Sequence, residues 1–322
     1  MTQTLAPATA SPASPGRTPV RRSRRRRHWR EEAVAYLLLA PALITFFAFL
    51  AIPLVLTFGL SLVNWSGITL DSIEWAGFAN YTRLLHDPIF WASLGHNLIF
   101  LVLGTSAIVG FGLFLAVLLE QGLPGSKFFR GVFFLPTVLS LVVIGIVFSF
   151  LLDPTFGVLK PILSAVGVQA NPAPLADPGQ VLYVLILLEA WRAFGFSMFL
   201  FVAGLKALDA HLTEAARIDG ASAWQIFWKV TLPQLRPVTL MVATLVGIGT
   251  LRLFDIVYVM TNGGPDHASE VLNTYSYGEA FTYSYIGYGS TIAVVMLFIT
   301  FLFTILRFKA LPDERREARA TR

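Results

Sequence analysis

Six long apolar stretches alternate with shorter polar ones along this chain, over 34–62, 97–119, 132–152, 181–205, 238–260 and 287–308. Each approaches or exceeds the ~20 residues a helix needs to cross ~30 Å of hydrocarbon. The pattern predicts an all-α membrane protein with six transmembrane helices. Pro41, Pro53 and Pro136 fall inside or at the edges of these spans. A helix bundle tolerates them, because neighbouring groups re-satisfy the backbone they free.

The polar stretches fall into two kinds. Of the 24 Lys and Arg, 20 lie before the first span, in the 120–131 and 206–237 loops and at the carboxyl end. The other three connections hold only Arg83 and Lys160, against eight acids: Asp71, Glu74, Asp87, Asp153, Asp177, Asp266, Glu270 and Glu279. Cytoplasmic segments are enriched in Lys and Arg, so both termini and the 206–237 loop are predicted to be cytoplasmic. Residues 1–32 read as a disordered basic tail, 33–309 as the six-span domain and 310–322 as a charged tail. The first apolar stretch is too long for a cleaved signal and is expected to be retained.

Composition agrees: 55% of residues are hydrophobic, 13% are charged and the mean hydropathy is +0.67. A soluble core of this size needs far more surface charge. The net charge of +5 follows topology, not nucleic-acid binding. Cysteine is absent, so disulfides and thiolate chemistry are excluded. The five histidines, His28, His86, His96, His211 and His267, are scattered with no i, i+4 pair, and no metal site is expected.

The 206–237 loop has local signals for a helical hairpin. Asp209 can cap a short helix carrying Glu214, Ala215 and Ala216, and Gly220 can end it with a left-handed residue. Ser222-Ala223-Trp224-Gln225 reads as a capping box for a second helix, which Pro233 is expected to stop. Trp224, Phe227 and Trp228 are too apolar for a solvated face and are expected to pack back on the span ends. From these residues alone, a partner-docking protrusion and an ordinary interfacial hairpin both stand.

Away from the span ends, four strongly ionisable residues lie within the spans: Glu189, Arg192, Arg252 and Asp255. A charge at the bilayer centre costs about 2.5–3.5 kcal/mol, so such residues face a cavity or a partner. Each acid sits three residues from its base, on a shared helix face. Ion pairing that fixes packing and a polar translocation pathway are both open. On the outer side, Trp65, Trp75, Tyr81 and Trp91 suit an interfacial belt. Tyr275, Tyr277, Tyr283, Tyr285 and Tyr288 flank the sixth span and are read as interface anchors, with a platform for stacking on sugar faces as the alternative. Asn262-Gly263-Gly264-Pro265 is a turn by its chemistry.

Glu214-Ala215-Ala216, Gly220 six residues after the Glu, and Val230-Thr231-Leu232-Pro233 resemble the EAA loop of permease subunits in binding-protein-dependent ABC importers. Val230 stands where that family usually has Ile, and Leu208–Thr213 departs from its usual Ile-Pro and Tyr. The resemblance extends in order from about residue 36 to 308. It includes Asn80–Pro88, Phe128–Pro136, Gly195–Met198 and Phe254–Pro265, and is closest to the maltose, multiple-sugar and glycerol-phosphate branch. It implies an ABC importer type I permease fold in the cytoplasmic membrane. It also implies a carbohydrate delivered by an extracytoplasmic binding protein, a sister permease, and two cytoplasmic ATPase subunits that hold ATP and Mg. Glu214, Ala215, Ala216 and Gly220 would seat in an ATPase cleft, with Leu232 and Pro233 closing the motif.

No Gly-x-x-x-x-Gly-Lys-Ser/Thr phosphate loop occurs, so ATP hydrolysis is expected in a partner and no enzyme activity here. An ion-coupled carrier would share the intramembrane charges but needs no Glu-Ala-Ala loop. An intramembrane hydrolase would need a His-Glu-x-x-His or Gly-x-Ser-x-Gly run, and neither is present.

Overall fold

The computed structural model describes residues 28–167 and 173–310. The tails expected at 1–32 and 310–322 lie almost wholly outside these residues. The stretch that falls inside, from His28, is already helical. Contacts divide the chain into two units, Met1–Val55 and Leu56–Arg322.

The first unit is helical from His28 to Phe46, with Pro41 inside the helix, and then opens into a wider π-helical turn at Phe47–Ala51. That turn is closed by the Ile52 amide reaching back to the Phe47 carbonyl. It comes just before Pro53, whose ring would otherwise press on the carbonyl four residues earlier.

Five helices among the described residues are long and apolar enough to cross a membrane: Val34–Leu60, Pro88–Glu120, Val181–Lys206, Arg236–Met260 and Ile286–Lys309. A sixth span is formed if Ser126–Val138 and Leu141–Leu151 cross together, but these two helices meet at 91°. The apolar stretch at 132–152 is therefore not one continuous helix. Leu139 and Ser140 are extended, and the second half turns aside to pack on Asp255–Met260. Gly145 makes that contact close: a Cβ there would lie 2.9 Å from Val259 Cγ1. Hydropathy registers the apolar run but not its bend.

The second span begins at Pro88, nine residues before the sequence boundary. Asp87 caps it, accepting from the Ile89 and Phe90 amides, and proline occupies the first turn, where a missing N–H costs nothing. The second and fourth spans pack closely around Ile108, Leu115, Phe194, Met198 and Phe201. A Cβ on Gly112 would lie 2.5 Å from Ser197 Oγ, and one on Gly195 would lie 2.4 Å from the Phe133 carbonyl. Phe111, Phe114, Leu187, Phe298 and Phe301 remain exposed on the outward faces. Such side chains suit contact with lipid tails.

The fifth span is broken. Arg236–Leu251 ends, Phe254 takes φ −143°, and a new helix starts at Asp255. The carbonyls released at the break find side-chain partners. Asn97 Nδ2 donates to Leu251 O at 3.1 Å and Asn273 Nδ2 to Leu253 O at 3.3 Å. Irregular backbone at membrane depth survives only where such partners exist. Asn97 also accepts from the Leu272 amide at 2.8 Å, tying the second span to the helix that follows the Asn262–Pro265 turn.

Candidate functional site: a helical hairpin and an intramembrane cavity

The hairpin forms as its local chemistry predicts. Asp209 accepts from the His211 amide and caps Ala210–Ile218. Gly220 follows with φ +80°, a conformation other residues adopt only under strain. The Ser222–Gln225 capping box is complete, with both bonds formed.

Pro233, by contrast, does not stop the second helix. Ala223–Ile226 widens into a π-helical turn at Phe227–Thr231 and continues through Leu232–Gln234. The Leu232 amide reaches Phe227 O, the arrangement seen before Pro53. Only Leu235 then separates this helix from Arg236–Leu251.

Glu214 and Ala215 are exposed, Ala216 is half-buried, and no ion pair among the described residues engages Glu214. Ile218 is 86% exposed. The expectation that Trp224 and Trp228 pack back on the spans is corrected. They are 70% and 49% exposed and pack edge-on against each other at 5.5 Å, with Phe227 beside both. Ile226 is the side chain this helix buries. The result is a projecting, partly apolar surface that presents the Glu214 carboxylate.

Of the four intramembrane charges, the structure brings two into one cavity. Glu189 and Arg192, on the fourth span, form a two-pronged ion pair. Arg192 Nε donates to Glu189 Oε2 at 2.9 Å and Nη2 to Oε1 at 2.5 Å. Their side chains are only 18% (Arg192) and 7% (Glu189) exposed. They line a cavity of about 180 Å³ with Thr137, Phe196, Leu245 and Thr250. Thr137 Oγ1 donates to the Arg192 carbonyl at 2.9 Å, fixing the bent third segment against the fourth span. Thr250 shares a 3.1 Å hydroxyl contact with Thr105.

Arg252 and Asp255 do not share a helix face, because the helix breaks between them. Both are exposed, and no ion pair joins them among the described residues. Thr137 and Thr250 escaped the sequence reading. Their only signal is a hydroxyl in an otherwise apolar run.

A second polar cluster sits at the opposite end of the second span from Glu120. Asp87 accepts the hydroxyls of Tyr275, at 2.5 Å, and Tyr288. These two tyrosines are buried, so their reading as interface anchors is corrected, while Tyr283 and Tyr285 remain exposed. Burial alone would raise the Asp87 carboxyl. Tyr275, Tyr288 and the Ile89 and Phe90 amides outweigh it and hold Asp87 below its ordinary 3.8. Arg83 stacks 3.7 Å from the Tyr288 ring centroid and pairs with Glu279 at 3.2 Å.

Membrane-crossing helices, a small and mostly apolar cavity that holds one buried ion pair, and a helix–glycine–helix protrusion between the fourth and fifth spans are the features of a multi-pass transport permease. Residues 108–315 match the family described as binding-protein-dependent transport system inner membrane component. The chain belongs to this family of ABC importer permeases. It is 36% identical to the probable ABC transporter permease protein YurN of Bacillus subtilis (strain 168), over 88% of this chain and 98% of that one. It is 34% identical to the lactose transport system permease protein LacF of Rhizobium radiobacter, over 87% and 94%. A chain in the crystal structure of a bacterial ABC transporter that imports the acidic polysaccharide alginate superposes with a TM-score of 0.76. At 20% identity, over 88% of this chain and 98% of that one, this likeness concerns the fold alone.

Proposed function

We propose that this permease carries a carbohydrate across the cytoplasmic membrane, handed over by an extracytoplasmic binding protein. The hairpin centred on Glu214 takes up the stroke of a cytoplasmic ATPase. The observation that carries this reading is the exposed Glu214, without an ion pair among the described residues, on a helix set off by Gly220 and projecting between two spans. Ala215 and Ala216 keep that helix slim enough to enter a cleft, Gly220 turns the chain after it, and Leu232 and Pro233 lie where the second helix rejoins the spans. The lactose permease relative supports carbohydrate as the cargo.

ATP and Mg are held by two ATPase subunits. Closure of that pair moves the hairpin and opens the spans outward, and hydrolysis returns them. The cavity at Glu189 and Arg192 lies on the solute's path, while Arg252 and Asp255 are outside its lining. At about 180 Å³ it is smaller than the 300–1,000 Å³ of a usual ligand site. A sister permease supplies the remaining wall. Both termini face the cytoplasm, as the Lys and Arg distribution predicts.

The test is affinity purification of the tagged chain from its native membranes in mild detergent, beside a Glu214→Arg variant. An ATPase and a second permease retained by the wild type, with the ATPase lost from the variant, support the reading. A chain that purifies alone, without ATPase activity, and still carries solute in vesicles would sink it.

A further inference from the structure

The Glu189–Arg192 pair carries information about the charge of the solute, given the reading of its cavity as part of the solute's path. A guanidinium recognises phosphate or carboxylate by offering two parallel N–H groups along one edge. In this cavity the Nε–Nη2 edge of Arg192 is already taken. Both of its bonds go to Glu189, whose two oxygens are used in return.

The pair is nearly buried and its charges cancel. The other polar groups lining the cavity are neutral hydroxyls and are themselves committed. Thr137 donates to the Arg192 carbonyl, and Thr250 donates to Gly247 O at 3.0 Å while touching Thr105. No second cation lines the cavity among the described residues. An anion entering here meets no net positive charge and an occupied guanidinium edge, in surroundings that screen little. A neutral solute rich in hydroxyls is better matched. It can accept from the Nη1 side of Arg192 and donate to the remaining lone pairs of Glu189 without splitting the pair.

We infer that this permease passes uncharged polyhydroxylated sugars and rejects phosphorylated or uronic ones, with Glu189 setting the preference by occupying Arg192. The inference makes an asymmetric demand on mutation. Removing the Glu189 charge while keeping its shape frees the Arg192 edge and leaves an unpaired cation. A site that was neutral then becomes one that attracts anions.

The experiment is ligand-detected saturation-transfer NMR on the assembled transporter, purified without its binding protein so that the binding protein's own selectivity is absent. The probes are lactose and raffinose against glucose 6-phosphate and glucuronate, with wild type, Glu189→Gln and the double variant Glu189→Gln/Arg192→Gln. The expected result is transfer to the neutral sugars alone in wild type. Glu189→Gln gains transfer to glucose 6-phosphate by at least fivefold, and the double variant loses that gain. Transfer to lactose retained by the double variant shows that it is folded, so its loss of the glucose 6-phosphate gain reports charge. Transfer to glucose 6-phosphate in wild type equal to that of lactose overturns the charge inference while leaving the cavity on the path. Transfer that is identical across all three proteins, or absent for every probe, overturns the placement of the path, and the inference with it.

Discussion

Tyr275 donates its hydroxyl to Asp87 at 2.5 Å across 188 residues of sequence, and Tyr288 donates to the same carboxylate oxygen. The other oxygen of Asp87 caps the second span. One side chain thus fastens the start of that span to the helix at Leu272–Tyr277 and to the sixth span.

Asp87→Asn keeps the shape and removes the charge, weakening two hydroxyl bonds and the cap. The expected loss is about 1–3 kcal/mol, read as a lower midpoint of thermal unfolding in detergent. The pH dependence has a fixed sign. The Asp87 carboxyl is held below 3.8 when folded, so its contribution is present above that value and fades as pH falls through the folded value. The wild type should therefore lose part of its margin over Asp87→Asn in acid. A margin that grows on acidification would contradict this account.

Asn97→Leu strips partners from the Leu251 carbonyl and the Leu272 amide at once. Each buried group left unsatisfied costs about 1–3 kcal/mol. The variant should unfold at lower temperature and exchange the Leu272 amide faster. Unchanged exchange there would show that water or a neighbour replaces Asn97.

At Gly195, an alanine Cβ would lie 2.4 Å from the Phe133 carbonyl, which is backbone and cannot swing away. Gly195→Ala should push the third segment off the fourth span at a cost of about 1–3 kcal/mol. Gly110→Ala, which meets nothing within 4 Å, is the control and should be silent. Equal stability of the two variants would rule out the close approach.

Glu214→Lys reverses the exposed charge of the hairpin without touching a buried group. Membrane insertion and thermal stability should match wild type, while solute-stimulated ATPase in the assembled transporter falls tenfold or more. Undiminished stimulation would refute the role given to Glu214.

Local chemistry was legible in the sequence, and distant partnership was not. Asp209, Gly220 and Ser222 act on atoms within a few residues, and the hairpin they build appears as read. Asp87-Pro88 carried the same kind of signal for the start of the second span, but an apolar window centred later concealed it. Asn97 finds its partners 154 and 175 residues away, and nothing near it in the chain marks the break it serves. The 91° bend at Leu139–Ser140 is set by packing on Asp255–Met260, which a hydropathy profile does not register. Glu189 and Arg192 were legible as a pair because three residues separate them on an unbroken helix. Arg252 and Asp255 have the same spacing, but the helix between them is interrupted.

The widened turn before Pro233 has a mechanical consequence. Because the proline does not cut the second hairpin helix, a stiff arm runs from Ala223 to Gln234, and its only joint with the fifth span is Leu235. That joint is clamped: Leu235 is fully buried, and together with Val238 it lies against Gly204 of the fourth span. A force that reaches this arm has little slack to take up before the wrist, where the fourth and fifth spans lie against each other.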